Sequence, residues 1–325
     1  MKRVVLITTG GTIASRFDPS HGWVSASASG SELLQTLHER PSELAIEVDE
    51  FCNLGSFNFD LEIAFRLAQR IAEHLEKPDV AGAVVTHGTD TMEESAFLAD
   101  LVVASEKPVV FTGAQRYAEE PDTDGPRNLG DAIRLAASGL EGLGAVILFD
   151  QEFHAARDVT KMHAYRVGAF SSMGHGMLGE VDGERIVLHR RPVRRSTIRT
   201  ERIEPQVDLI KLVVGSDARF LRAAIQSGTK GLVLEAFGRG NATLSVLQGV
   251  REAIAAGVPV IITTRCPQGR VEAIYGNGGG KDLAAAGAIF AGDLTGVKAR
   301  VLLSVLLGAG ASHTMIAEQI AKLGG

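Results

Sequence analysis

Short, apolar, β-branched runs alternate with helical spacing along most of this chain, and that rhythm constrains the fold more than any other feature. The runs lie at 3–8, 45–51, 83–86, 108–112 and 145–149, each closed by Gly, Asn, Thr or Asp. Strands buried on both faces of a parallel sheet read as continuous apolar runs rather than alternating ones, and these do. Between them lie helical patterns. Asp60 is placed to cap a helix over 61–75, where Ile63, Leu67, Ile71 and Leu75 recur every fourth residue on one face. A second helix is expected over 91–104, opening with Glu93 and Glu94, carboxylates suited to a helix N-terminus. A third, over 126–137, follows the turn signal Asp124-Gly125 with Pro126 in its first turn.

The rhythm breaks at about 190–205, where Arg, Pro, Ser and Thr replace the apolar periodicity, and resumes with runs at 209–214, 231–234 and 258–263. A chain of 325 residues is too long for one ordinary core. The expected architecture is therefore α/β in two domains. A larger N-terminal domain over 1–190 carries a mostly parallel doubly wound sheet, a linker covers 191–207, and a smaller α/β domain covers 208–325. The basic run Arg190, Arg191, Arg194 and Arg195, interrupted by Pro192, reads as part of a solvated linker.

Several function classes fall away. A formal charge of -6 and 5% aromatic residues give neither the electrostatic footprint nor the stacking surface that nucleic acid requires. Cys52 and Cys266 are far apart and show no metal spacing, and His163, His175 and His189 show none with one another, so no metal is expected. The apolar run Val4 to Ile7 is too short for a signal peptide, and no stretch reaches the roughly 18 apolar residues of a membrane span. The cytoplasm is the expected location.

In open α/β sheets, ligands bind beyond the carboxyl ends of the strands. Here those ends read Thr8-Thr9-Gly10-Gly11-Thr12, Asn53-Leu54-Gly55-Ser56, Thr86-His87-Gly88-Thr89-Asp90-Thr91 and Thr112-Gly113-Ala114. Hydroxyl residues beside glycine, with the backbone amides that glycine frees, suit a small polar pocket for a carboxylate or an oxyanion. His87, at the end of a buried strand, reads as a satisfied structural histidine rather than a base.

Two of these segments carry a resemblance. Thr9-Gly10-Gly11-Thr12-Ile13-Ala14 and Thr86-His87-Gly88-Thr89-Asp90-Thr91-Met92-Glu93-Glu94 resemble motifs of the bacterial-type L-asparaginases. So do Asp124-Gly125-Pro126-Arg127-Asn128-Leu129, Arg157-Asp158-Val159-Thr160-Lys161, Gly240-Asn241 and Lys298-Ala299-Arg300-Val301-Leu302-Leu303, and the similarity spans essentially the whole chain. It implies hydrolysis of L-asparagine to L-aspartate and ammonia, with Thr12 as nucleophile and Thr89, Asp90 and Lys161 as the other catalytic groups. It also implies a substrate pocket of Gly11, Ser56, Gly88, Thr89, Asp90 and Ala114, with Asn241 contributed by the C-terminal domain. Each site then lies between subunits of a homo-oligomer, a tetramer built as a dimer of dimers. The chemistry is reasonable on its own terms. A threonine hydroxyl needs a proton acceptor before it attacks, and lysine is a usable one when burial or charge lowers its pKa.

The chain also departs from the family pattern. A glutamine that contacts the substrate's amino group usually follows the binding serine, whereas here Phe57 does, leaving Asn58 or a main-chain group to substitute. The loop after the nucleophile usually presents a tyrosine. Between Phe17 and Gly30 there is none, and Trp23 donates an N–H but cannot shuttle a proton, so it serves as a lid at best. Tyr275 is the candidate phenol from the second domain. The stretch 17–31, rich in Ser, Ala, Gly and Asp, reads as a loop that closes over the site. Competing readings are a glutaminase-asparaginase of broad amide specificity, an amidotransferase-type ammonia supplier, and a non-catalytic amino-acid-binding module on the same fold. A nucleotide-binding enzyme is weaker, because no GxGxxG fingerprint or phosphate-loop lysine follows the first strand.

Overall fold

The computed structural model describes residues 2–37 and 44–325. The chain divides into two compact units, Met1–Thr197 and Ile198–Gly325.

The first unit begins with β1 (Arg3–Gly10), a hairpin of β2 (Ser15–Asp18) and β3 (Trp23–Ala26), and α1 (Gly30–Gln35). There follow β4 (Ala45–Leu54), α2 (Leu61–Leu75), β5 (Val80–Thr86), α3 (Met92–Val102), β6 (Val109–Thr112), α4 (Gly125–Ala137) and β7 (Ala145–Phe149). It ends with β8 (Glu152–Ala155), a short ribbon of β9 (Thr160–Lys161) and β10 (Phe170–Ser171), and a hairpin of β11 (Gly179–Asp182) and β12 (Arg185–Leu188). Eight strands form one sheet in the order β12-β11-β8-β7-β6-β5-β1-β4. The five from β4 to β7 in that row are parallel, as their apolar runs predict. The last three, unanticipated in the sequence, extend the sheet antiparallel.

Burial explains why the parallel strands lack alternation: Val4, Val5, Leu6 and Ile7 of β1 are all fully buried, with helices covering both faces. The α2 helix has the expected limits. The Asp60 carboxylate accepts the Ile63 N–H at 2.7 Å, and Leu67, Ile71 and Leu75 face the core. Burying each of those three side chains stabilises the unit by about 1.5–3 kcal/mol. The segment Asp124 to Asn128 ties several chain turns together. The Asp124 carboxylate accepts the Gln115 and Arg116 N–H groups, while Asn128 Nδ2 donates to the Gly113 carbonyl at 3.0 Å and Asn128 Oδ1 accepts the Asp150 N–H at 3.1 Å. One side chain thus bridges the ends of β6 and β7.

Two expectations need correction. The stretch 17–31 is not an irregular loop: it forms most of the β2–β3 hairpin, then the start of α1, which is closed by a capping box between Ser29 and Glu32. The basic run is not a free solvated linker either. Arg190 Nε donates to the Met177 carbonyl at 3.0 Å, Arg191 donates to the Glu141 carbonyl, and Arg195 Nε donates to Asp100 Oδ1 at 3.0 Å. Asp100 is buried, which pushes its carboxyl pKa upward against the pull of Arg195. The Arg195 guanidinium satisfies a buried acceptor here, a use that composition cannot reveal.

The second unit is a four-stranded parallel sheet in the order β13-β14-β15-β16, formed by Val207–Lys211, Gly231–Ala236, Val260–Thr264 and Ile289–Phe290. Helices α5 (Arg219–Ser227), α6 (Leu244–Ala255), α7 (Gly280–Ala285), α8 (Gly296–Gly308) and α9 (His313–Gly324) accompany it. Its core gathers Leu232, Leu234, Val246, Val250, Val260 and Ile262. Among the described residues, no helix is long and apolar enough to cross a membrane.

Candidate active site

The sheet order puts β1 between β4 and β5, so consecutive parallel strands leave β1 in opposite directions. That is a topological switch point, where the strand ends diverge and leave a crevice. An open cleft of about 530 Å³ lies there. Gly11, Thr12, Asn53, Ser56, Gly88, Thr89 and Asp90 line it from the three strand ends, and Val24 and Ser25 from the hairpin. Lys161 and Tyr165 line it from the segment around the ribbon.

The nucleophile candidate sits on a turn that only glycine permits. Gly10 and Gly11 have φ of 98° and 78°, both left-handed. A Cβ on Gly11 would lie 2.5 Å from the Gly88 Cα, and one on Gly10 would lie 2.6 Å from the Leu54 N. The ends of β1, β4 and β5 therefore approach within backbone contact. Thr12 opens a short 3-10 turn, Thr12–Ala14, and lines the cleft, with its hydroxyl free of any hydrogen bond to the described residues. Its neighbours are engaged: Thr9 Oγ1 donates to the Thr86 carbonyl at 2.9 Å, and Ser15 Oγ donates to the Gly11 carbonyl at 2.8 Å.

On the next strand, His87 is fully buried between Phe59 and Phe111, and its ring shares a 2.7 Å hydrogen bond with the Gly88 carbonyl. A carbonyl only accepts, so Nδ1 carries the proton. Burial lowers the His87 pKa to about 4, so the ring is neutral at about pH 7, and it is not the fully satisfied histidine expected, because Nε2 is buried without a partner among the described residues. Ser56 is buried against Gly88, where an added Cβ would lie 2.7 Å from Ser56 Oγ. Thr91 Oγ1 fixes that turn by donating to the Ser56 carbonyl at 2.9 Å.

Lys161 comes from β9, outside the main sheet, and reaches the end of β5. Its Nζ donates to Thr89 Oγ1 at 2.8 Å and to Asp90 Oδ1 at 2.8 Å. Thr89 is buried, whereas the Asp90 side chain is 58% exposed and faces the open cleft. A hydroxyl, an amine and a carboxylate are thus linked in one chain beside a free hydroxyl, an arrangement able to carry protons around a carbonyl placed between them.

Two family models match the chain: "Asparaginase, N-terminal" over residues 3–194 and "Glutaminase/Asparaginase C-terminal domain" over residues 206–320. The chain belongs to the asparaginase family. An L-asparaginase of Bacillus licheniformis is 37% identical over 94% of this chain and 95% of its own length. A probable periplasmic L-asparaginase of Haemophilus influenzae is 33% identical over 94% of this chain and 89% of its own. A component of the glutamyl-tRNA(Gln) amidotransferase of Methanosarcina mazei is 32% identical over 95% of this chain and 74% of its own.

In this member of the family, the residues expected at the site are only partly gathered in the cleft. Thr12, Thr89, Asp90, Lys161, Gly11, Ser56, Gly88 and Asn58 all line it. Ala114 does not: its side chain is 1% exposed and packs into the core against Gly125. The strand-end rule finds backbone positions, and the Ala114 side chain turns inward. The next residue, Gln115, lines the cleft instead, with its Nε2 buried and unpartnered among the described residues. Asn241 belongs to the second unit, where its Oδ1 accepts the Gly280 N–H at 3.2 Å at the start of α7. Tyr275 is in the same unit, with its side chain exposed. Phe57 is 73% exposed on the cleft wall and folds over Gly55. Trp23 is not a lining residue: it stacks on His21 at 4.7 Å, while Val24 and Ser25 beside it face the cleft. No group of three His, Cys, Asp or Glu among the described residues is arranged to hold a metal ion.

Proposed function

We propose that the protein hydrolyses the side-chain amide of L-asparagine to L-aspartate and ammonia through a threonine-linked acyl-enzyme. The carrying observation is the free Thr12 hydroxyl, held on a left-handed Gly-Gly turn in the same cleft as the Thr89–Lys161–Asp90 chain. In the first half-reaction, Thr12 Oγ bonds to the amide carbon. Its proton passes by way of the Thr89, Lys161 and Asp90 groups to the amide nitrogen, and the C–N bond breaks to release ammonia. In the second, a water oxygen attacks the ester, its proton returns to Thr12 Oγ, and aspartate departs. Gly11 N–H already donates to the Leu54 carbonyl at 3.2 Å, so the amides of Thr12 and Thr89 are the donors assigned to the oxyanion. Ser56 and Asp90 hold the amino acid, the latter through its ammonium, with Asn58 beside Phe57 as an additional contact and Asn241 contributed by the C-terminal domain of another subunit. The chemistry uses only groups of the chain and water.

Ammonia release from wild-type protein and Thr12→Ala tests this reading. The variant is expected to keep the circular dichroism of the wild type and lose turnover, whereas the wild type quenched in acid during turnover should show an aspartyl adduct on Thr12 in intact-mass spectra. Equal rates in the two proteins would refute it and direct attention to Thr89. Glutamine differs by one methylene, worth about 1–3 kcal/mol in a pocket, so a minor glutaminase activity is expected and is read by assaying both amides side by side. Similarity to the amidotransferase component supports a second reading, ammonia supply to a partner enzyme. Turnover that appears only when a partner is added would favour it.

The assembly proposed is a homotetramer, a dimer of dimers, on the strength of the family, and light scattering measures it. The cytoplasm is the proposed location, although the Haemophilus relative carries a periplasmic name. Cell fractionation decides between them.

A further inference from the structure

Lys161 is held at two points, and only one belongs to the relay. Its Nζ meets Thr89 and Asp90, while its backbone N–H donates to Glu93 Oε1 at 3.3 Å. All three partners lie within the segment 89–93 that follows β5 and opens α3. The ribbon that carries Lys161 pairs β9 with β10 over two residues each and joins no larger sheet, although Phe170 of β10 is buried against Phe149. The other oxygen, Glu93 Oε2, is buried with no hydrogen-bond partner among the described residues. An unfilled buried carboxylate oxygen is costly, and a helix N-terminus offsets only part of that cost. A carboxylate kept there needs a reason beyond capping.

We propose that Glu93 is a positioning residue: by gripping the Lys161 backbone, it sets Nζ on Thr89 and Asp90. The inference rests on the role proposed above for Lys161. Glu93 touches no reacting atom and acts through the strand that it holds. The alternative is an ordinary first-turn acid that stabilises α3 through the helix dipole and has no effect on chemistry.

Five variants separate these accounts, each assayed for ammonia release and for melting temperature. Glu93→Met removes the acceptor while keeping length and helix propensity. Glu93→Asp keeps the charge but withdraws it by one methylene, and Glu93→Gln keeps an acceptor oxygen at the same reach. Lys161→Ala is made alone and with Glu93→Met. Misplacing a catalytic group by an ångström costs about 100-fold, so Glu93→Met and Glu93→Asp are expected to lose about that in kcat with KM little changed. Glu93→Gln should recover most of the activity, and Glu93→Met should cost nothing further in the Lys161→Ala background.

Wild-type kcat in Glu93→Met or Glu93→Asp, beside an inactive Lys161→Ala, would overturn the inference while leaving the role of Lys161 intact. Glu93→Gln as impaired as Glu93→Met would also overturn it. Full activity in Lys161→Ala would refute the relay itself. Should Glu93→Met not fold, the contrast between Glu93→Asp and Glu93→Gln decides alone.

Discussion

His87 provides a sharp test of the electrostatics at this site. The ring is fully buried and its pKa falls from 6.5 to about 4, chiefly through burial, with only the Gly88 carbonyl opposing the shift. In the unfolded chain the same histidine titrates near its ordinary value of about 6.5. Between those two values the unfolded chain binds a proton that the folded chain refuses. Stability is therefore greatest above about pH 6.5, and declines as the pH falls toward the folded pKa. Applying the linkage relation to this shift gives a loss of about 2 kcal/mol from this one residue between about pH 7 and about pH 4.5. His154, also buried and lowered to about 4, adds a loss of the same sign. A His87→Asn variant isolates the first contribution. Asparagine keeps a donor for the Gly88 carbonyl but has no proton to gain. It will be less stable than the wild type at neutral pH, because the space between Phe59 and Phe111 is left partly empty. Its urea-unfolding free energy should nevertheless fall by about 2 kcal/mol less than that of the wild type on acidification. Parallel pH dependence in the two proteins would refute the burial argument. Turnover near the wild-type level is also expected, and its abolition in a folded variant would mean that His87 is a base after all.

Gly11→Ala should abolish ammonia release and lower the melting temperature, since a backbone at φ 78° and ψ -177° costs alanine about 1–3 kcal/mol before the 2.5 Å clash with Gly88 is relieved. Asp60→Ala removes the cap of α2 and should cost about 1 kcal/mol in urea unfolding while leaving turnover unchanged. Asp100→Ala strands the largely buried Arg195 guanidinium and the Ala145 N–H, so a loss of about 3–5 kcal/mol is expected by the same measurement. A loss below about 1 kcal/mol would mean that the pair is dispensable.

The legible parts of this fold are those where one physical rule acts alone. The α2 helix has a capping carboxylate at one end and an uninterrupted fourfold apolar repeat, and its limits follow from both. β7 is a fully buried run with turns at each side, and its limits also follow. The hairpin after Thr12 is not legible because Phe17, Trp23 and Val24 are exposed, so burial stamps no pattern on it. β11 and β12 are four-residue strands set by pairing across a turn, and short strands with polar tips look like loop. At the site, the strand-end glycines and hydroxyls are visible because a crevice at a switch point requires them. Lys161 is not visible from local chemistry, since its partners Thr89 and Asp90 stand 72 and 71 positions earlier in the chain. Only the motif around it identifies it. Ala114 and Gln115 show the limit of that kind of reading: it locates a segment, and one residue's difference in register decides which side chain reaches the cleft.

The two-residue ribbon has a consequence for how this protein should fail. Five parallel strands anchor the floor of the cleft, but the amine of Lys161 arrives on a two-stranded ribbon outside that sheet, seated through Phe170 on Phe149 and paired over only two residues a side. Such ribbons open at far lower cost than a central sheet. Warming will therefore silence turnover while the circular dichroism of the helices still looks native, and cooling will restore it without any refolding of the layers beneath.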